Sequence, residues 1–247
     1  MLLDGNAVFH LFNTLRSHVS SLGVINAALF WISELLRRTG RLAALHKEIL
    51  FAQPVPARSL LPPNLGRSIA IRALGATDPA LKTLGVGPKV AAHRFSQGSI
   101  CLAAFSDDVP VGIIWICRGP FIEDVIRCRF VPGPDGKGAW DLGLYIHPDF
   151  RNGLVFARLW DAANEELRRA EIKWTFSRIS AFNPRSLKPH TALGGKPLGV
   201  MYVIGLGRWQ LILSPLRPSL HLSLSASQQP DICLYPPSTA DNRARTA

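Results

Sequence analysis

Asp141-Leu-Gly-Leu-Tyr-Ile146 opens the stretch, residues 141–195, on which the reading of the chain turns. The hexapeptide alternates and ends in an apolar β-former, and His147 to Gly153 then turns the chain. From Leu154 to Ala170 the apolar period becomes that of a helix. Lys173 to Ser180 is a second β-rich run, and Asn183-Pro184 opens a short helix ending near Gly194-Gly195. A period that passes from two to 3.6 and back predicts a β-α-β unit. Its first turn places Arg151 beside the N–H groups of a helix N-terminus, a physical anion site.

Two motifs lie in this stretch. Ile146-x-Pro148-x-Phe150-Arg151 precedes the long helix, and Asn183-x-x-Ser186-x-x-x-His190-x-x-x-Gly194 follows the second strand. They resemble the GNAT (Gcn5-related N-acetyltransferase) superfamily. Its pattern is a strand ending V-x-P-x-[YF]-R, a turn Q/R-x-x-G-x-G/A, and a later N-x-x-[SA]-x-x-x-Y-x-x-x-G-F. The resemblance covers roughly Ser68 to Leu213 and implies an α/β (α+β) fold with a mixed, mostly antiparallel central sheet flanked by helices. The sequence departs from the pattern at four places. The two small positions of the turn fall on Leu154 and Phe156, with Gly153 one place early, the tyrosine falls on His190, and the final Phe on Gly195.

Outward from this unit, Ser68–Arg72 reads as a strand, Asp78–Leu84 and Lys89–Phe95 as short helices, and Ser99–Phe105 with Val111–Cys117 as a hairpin. Thr77 or Asp78 as cap, with Pro79 at the first helical position, is a helix start. Val125–Phe130 reads as a further strand, and Leu198–Ile204 with Gly207–Leu213 as a final hairpin. Residues 1–52 read as an N-terminal helical extension, 53–67 as a proline-rich connector, 68–213 as the GNAT-like domain and 214–247 as a partly disordered tail. In the extension Ile25, Leu29, Ile32 and Leu36 form one stripe, expected against the core. The alternative is peripheral membrane contact through residues 24–41, with Arg37, Arg38 and Arg41 on lipid phosphates.

A hydrophobic content of 47% with 18% charged residues suits a buried core and excludes a disordered chain. The net charge of +11 favours anionic partners, although no specific nucleic-acid signal is present. Cys101, Cys117, Cys128 and Cys233 form no C-x-x-C pair, which argues against zinc or a disulfide framework and for a reducing, cytoplasmic compartment. No apolar run reaches the roughly 18–20 residues that span a bilayer, and no signal peptide is read.

The resemblance implies acyl transfer from acyl-CoA, most simply acetyl-CoA, to a small-molecule amine by direct attack in a ternary complex, without metal. Leu144, Tyr145 and Ile146 would pair with the pantetheine arm. Arg151, Asn152, Gly153, Leu154 and Val155 would hold the pyrophosphate, and Asn183 and Ser186 would face the arm from the other side. Asn183 is equally an ordinary helix N-cap. His190 stands at the position of the family's general acid. A histidine side chain titrates near neutrality and can supply the proton that a leaving thiolate needs. Asp141 is the best-placed base, with Glu123 and Asp124 as alternatives. Arg127, Arg129 and Arg178 lie in strand-like runs and either line an acceptor pocket for an anionic amine or pair with nearby carboxylates. Two other readings remain open: a non-catalytic binding module, motivated by the missing glycines, and a membrane-surface enzyme using long acyl chains.

Overall fold

A computed structural model describes residues 19–38, 43–151, 153–225 and 227–237. Arg41, Asn152, and residues 226 and 238–247 of the C-terminal tail therefore lie outside the described residues, as does the first part of the helical extension.

The chain runs α1 (Val24–Arg37), β1 (Ala43–Pro54), β2 (Ile69–Ala73), α2 (Pro79–Thr83), α3 (Pro88–Ser96), β3 (Ile100–Ser106), β4 (Val109–Cys117), β5 (Phe121–Ile122), β6 (Arg129–Pro132) and β7 (Gly138–Ile146). It continues with α4 (Leu154–Arg169), β8 (Trp174–Ser180), α5 (Pro184–Ala192), β9 (Lys196–Leu206), β10 (Trp209–Leu213), β11 (Leu220–Ser223) and β12 (Asp231–Leu234). Nine strands form one sheet in the order β11-β10-β9-β1-β8-β7-β4-β3-β2, and β12-β6-β5 form a second, small sheet. Every pairing in the large sheet is antiparallel except β7 with β8.

The β-α-β unit falls where the periodicity put it. Val155, Leu159, Trp160, Ala163 and Leu167 of α4 are buried, an i, i+4 stripe that packs on Ile114, Ile116, Ala139 and Ile146 of the sheet. α2 starts as its sequence predicts, with the Asp78 side chain accepting from the Ala80 N–H and Pro79 at the first helical position. The opposite face of the sheet carries α2 and α3 at one end. At the other lies the small sheet, where Phe130 stacks on Trp140 at 4.1 Å and Leu50, Phe176, Met201, Ile212 and Ile232 close a second core.

Four expectations are corrected. Residues 43–54, read as the end of a helical extension up to residue 52 and the start of the connector, form β1, inserted between β8 and β9 with Ile49 opposite both Ile179 and Val200. Its Ala, Leu, Lys and Glu residues favour helix locally, and two antiparallel neighbours override that preference. The connector consequently begins after Pro54, and it is stapled to α4. Both Asp161 oxygens accept backbone N–H groups, from Leu60 at 2.6 Å and Leu61 at 3.1 Å, and Arg168 donates to the Pro56 carbonyl at 2.9 Å.

The stripe of α1 faces the wrong way: Ile25 is 73% exposed and Ile32 48%. Contact with β1 runs instead through Ala27, the Ser33 hydroxyl on the Leu45 carbonyl and Asn26 on the Lys47 ammonium. Beside α1 the same face of β9–β11 exposes Ile204, Leu206, Trp209, Leu213, Leu220 and Leu222. Among the described residues no helix is long and apolar enough to cross a membrane.

The tail is partly structured as well. β11 extends the large sheet and β12 pairs in parallel with β6, so the folded region runs past residue 213. Finally, 125–130 is not one strand. Residues 123–128 are irregular and lead into β6 of the small sheet, which removes Arg127 and Arg129 from the main sheet.

Candidate active site

β7 and β8 pair for only three residues, Gly138↔Trp174, Ala139↔Thr175 and Trp140↔Phe176, and then part. The cause is local. Against β4, the partner of Trp115 is Gly143 and that of Ile116 is Asp141, so Leu142 is an extra residue in a bulge. A bulge bends its strand. The Asp141 side chain accepts the Gly143 N–H at 2.9 Å and so satisfies one donor within the irregular segment. Past the bulge, the edges of β7 and β8 that face one another have no strand between them, and backbone donors and acceptors there need another partner.

The opening is a cleft of about 900 Å³. One wall is Asp141 and Gly143–Ile146 of β7, with Arg151, Gly153, Phe156 and Trp160 at the turn and α4. The other is Ser177–Ser180 of β8, with Asn183, Ser186, Pro189 and His190 around α5. α4 points its N-terminus at this space. Gly153 stands at its N-cap with φ +93, a conformation that L side chains rarely adopt. Its first turn contains no acidic residue. The Arg151 Nε donates to the Ile146 carbonyl at 3.0 Å, fixing the guanidinium beside the strand end.

Of the residues singled out from sequence, Asp141, Leu144, Tyr145, Ile146, Arg151, Gly153, Arg178, Asn183, Ser186 and His190 all line this one cleft. Leu154 and Val155 do not contribute side chains to it. Both pack into the core under α4, so of the two positions where the family has small residues only Phe156 stands in the wall. Asn183 sits at the N-cap position of α5, but its amide donates to the Ser186 hydroxyl at 2.8 Å instead of capping backbone. Gly195 has a steric reason: a Cβ there would lie 2.6 Å from the His190 carbonyl oxygen, which accepts the Gly195 N–H.

Arg127 and Arg129 are elsewhere. The Arg129 guanidinium pairs with Asp231 of β12, and the Arg127 backbone is clasped by the Gln210 amide at 2.9 Å in both directions. Arg178 does reach the cleft, held at 2.9 Å by Glu123 and 3.2 Å by Glu48. Burial works against its charge, but the two carboxylates outweigh it and hold the guanidinium firmly protonated. Glu48, itself buried, is pushed up by desolvation and drawn back by Arg178. An arginine already met by two carboxylates is a poor hook for an anionic acceptor, and that expectation is withdrawn.

His190 gathers the polar end of the cleft. Its Nε2 lies 3.9 Å from an Asp141 oxygen, its Nδ1 is 3.2 Å from the Gln53 amide oxygen, and its ring stands edge-on to Trp160 at 6.1 Å. Asp141 is fully buried, and desolvation raises its pKa although His190 and the Gly143 N–H pull it down. Sequence reasoning missed Glu48 because it read that segment as helix, and Gln53 because it read that residue as the start of the connector. The β-like run Ile49-Leu50-Phe51 before Pro54 was the available signal. The cysteine thiols play no part here: burial pushes Cys101 up to about 12 and raises the other three. Among the described residues no cluster of His, Cys, Asp and Glu could hold a metal ion.

The fold is GNAT-like. Strand, two short helices, antiparallel meander and β-α-β unit follow in that order around a cleft between parting parallel strands. No family model and no curated protein matches the sequence. Similar solved structures include a functionally unknown conserved protein from Staphylococcus epidermidis, 15% identical over 70% of this chain and 66% of that one, TM-score 0.49. A protein assigned to the GNAT family of acetyltransferases from Novosphingobium aromaticivorans is 16% identical over 66% of each chain, TM-score 0.46. An aminoglycoside N-acetyltransferase in complex with CoA is 20% identical over 51% of this chain and 90% of that one, TM-score 0.37. The chain thus spans just under two thirds of the length of the first two. Overlaps this partial leave the chemistry to be argued from the cleft itself.

Proposed function

We propose that the protein is an N-acyltransferase that moves an acyl group from acyl-CoA, acetyl-CoA in the simplest case, to a small-molecule amine. One observation carries the reading: two parallel strands that pair for three residues and then part over a cleft that a helix N-terminus faces. The parted edges suit an arm of amide groups, which would complete their hydrogen bonds. The first turn of α4 and Arg151 suit a pyrophosphate. Phe156 lines the same cleft as Gly153 and Arg151.

Acyl-CoA supplies an acyl group on a thioester sulfur. Transfer to the amine forms a C–N bond and breaks the C–S bond, and one proton leaves nitrogen while one reaches sulfur. Asp141 and His190, 3.9 Å apart, divide that traffic. Asp141 takes the amine proton directly or through water, and its raised pKa makes it the better acceptor. Asp141 then passes that proton to the Nε2 of His190, and the imidazolium so formed gives it to the departing sulfur, which restores both groups. The β7 backbone polarises the carbonyl, and the walls orient both reactants.

The test is a thermal-shift series with CoA, acetyl-CoA and palmitoyl-CoA on the wild type and Arg151→Ala. Binding at a hundred times Kd adds about 2.7 kcal/mol of stability. The expected result is a shift with CoA thioesters that shrinks in Arg151→Ala, with chain-length dependence naming the donor. A chain that no CoA species stabilises is not this enzyme. A shift without turnover on any amine would favour a non-catalytic binding module, the reading for which Phe156 in the wall speaks.

A further inference from the structure

His190 is held by a strand that the β-α-β unit does not contain. Gln53 lies near the end of β1 and is 3% exposed, and its amide oxygen meets the His190 Nδ1 at 3.2 Å. An amide oxygen only accepts, so the hydrogen is on Nδ1. In the neutral ring that leaves the lone pair on Nε2, the nitrogen 3.9 Å from Asp141. Two aromatic side chains flank the ring. Phe51 lies 6.2 Å away on the same strand, and Trp160 of α4 stands edge-on. Gln53 is fixed in its turn, since the antiparallel register places it opposite Thr175 of β8, whose hydroxyl donates to the Gln53 carbonyl at 3.4 Å.

We infer that Gln53 is a positioning residue: it selects the Nδ1–H form of His190 and so reserves Nε2 for proton exchange with Asp141 and the reacting groups. The inference rests on the acyl-transfer reading for its consequence, but its physical content, the protonation site of one imidazole, stands without turnover. A side chain bound to Nδ1 as a donor would do the opposite and turn Nε2–H toward Asp141 permanently. The groups facing His190 are Asp141 from β7, the neutral Gln53 and Phe51 from β1 and Trp160 from α4, with Arg178 of β8 in the same cleft. Within this set Gln53 is the partner that reads which nitrogen carries the hydrogen.

The experiment compares wild type with Gln53→Met, nearly equal in volume but unable to accept strongly, and Gln53→Glu, which keeps an acceptor and adds charge. Nitrogen chemical shifts of the His190 imidazole, assigned by their loss in His190→Asn, report the tautomer in the ligand-free protein. The expected result is a dominant Nδ1–H form in wild type, a mixed population in Gln53→Met, and recovery of the Nδ1–H form in Gln53→Glu. With acyl-CoA and an amine, Gln53→Met lowers kcat about tenfold at unchanged KM for the thioester. Gln53→Glu restores kcat and moves its pH profile upward by about one unit, because a carboxylate at Nδ1 favours the charged ring. An unchanged tautomer in a folded Gln53→Met overturns the inference. So does a loss of kcat that Gln53→Glu fails to restore while keeping the wild-type melting temperature. Tautomers that respond as described in a protein that acylates no amine would uphold the inference about His190 and remove only the acyl-transfer reading.

Discussion

The β7–α4 wall of the cleft and the β8–β1 wall offer a ligand different things. The first presents main chain: parted strand edges, a helix N-terminus, and one guanidinium tied to the Ile146 carbonyl. The second presents buried side chains, each held by another: Glu48 and Glu123 on Arg178, Gln53 on His190. Main-chain groups persist whatever the side chains are, so the first wall tolerates Leu154 and Phe156 where the resemblance leads one to expect small residues. Side-chain networks have no such reserve, and a single substitution in the second wall should be felt. The difference separates a wall made mostly of backbone, with the Asp141 carboxylate at its foot, from a wall of mutually held side chains.

The contrast can be broken at several points. The largest effect is expected at His190: His190→Asn should lower kcat by 10²–10⁴ while the KM for acyl-CoA changes less than about twofold. A variant that lost binding and kept kcat would give His190 a binding role in place of proton transfer. Next comes Arg178→Met, which leaves Glu48 and Glu123 buried around a missing cation and should cost about 3–5 kcal/mol in denaturant melts. Adding Glu48→Gln should recover part of that loss, since it removes one of the stranded charges.

A smaller effect follows from Asp141, whose carboxyl burial pushes above the ordinary range. The folded state then holds the proton more tightly than the unfolded chain. That contribution to stability is complete below the unfolded value and is lost as pH rises through the folded one. Asp141→Asn does not titrate, so its melting temperature relative to wild type should improve as pH rises above about 4. A difference that ran the other way would mean that the ion pair with His190 dominates burial. The smallest effect belongs to the first wall: Tyr145→Ala should change acyl-CoA affinity by less than about threefold, because β7 acts through its backbone. A tenfold loss there would erase the distinction between the walls.

The first wall was also the more legible in sequence. Its elements are contiguous, Gly138 to Arg169, so the change of period and the Pro148-x-Phe150-Arg151 turn announced them together. What remained hidden was long-range. Whether Arg127 and Arg129 point into the cleft depends on which sheet receives β6, and nothing within a few residues of them records that. β1 was hidden for the same reason: Ala43-Ala-Leu-His-Lys-Glu48 is good helix sequence, and only β8 and β9 make it a strand. His190 was read from spacing, yet its partner Gln53 could be found only once β1 was placed. Arg178 fell between the cases, since its pairing with Glu123 was one of two readings and Glu48 belonged to neither.

β1 leaves the ribosome early and finds its place late. The strands that flank it begin at Trp174 and Lys196, so at ordinary rates of synthesis it waits on the order of ten seconds for both neighbours to exist. Through that interval Leu50, Phe51 and Ala52, buried in the finished sheet, have nothing to bury against. A nascent chain halted before Lys196 would hold this strand with one edge unanswered, a natural handle for chaperones and for quality control.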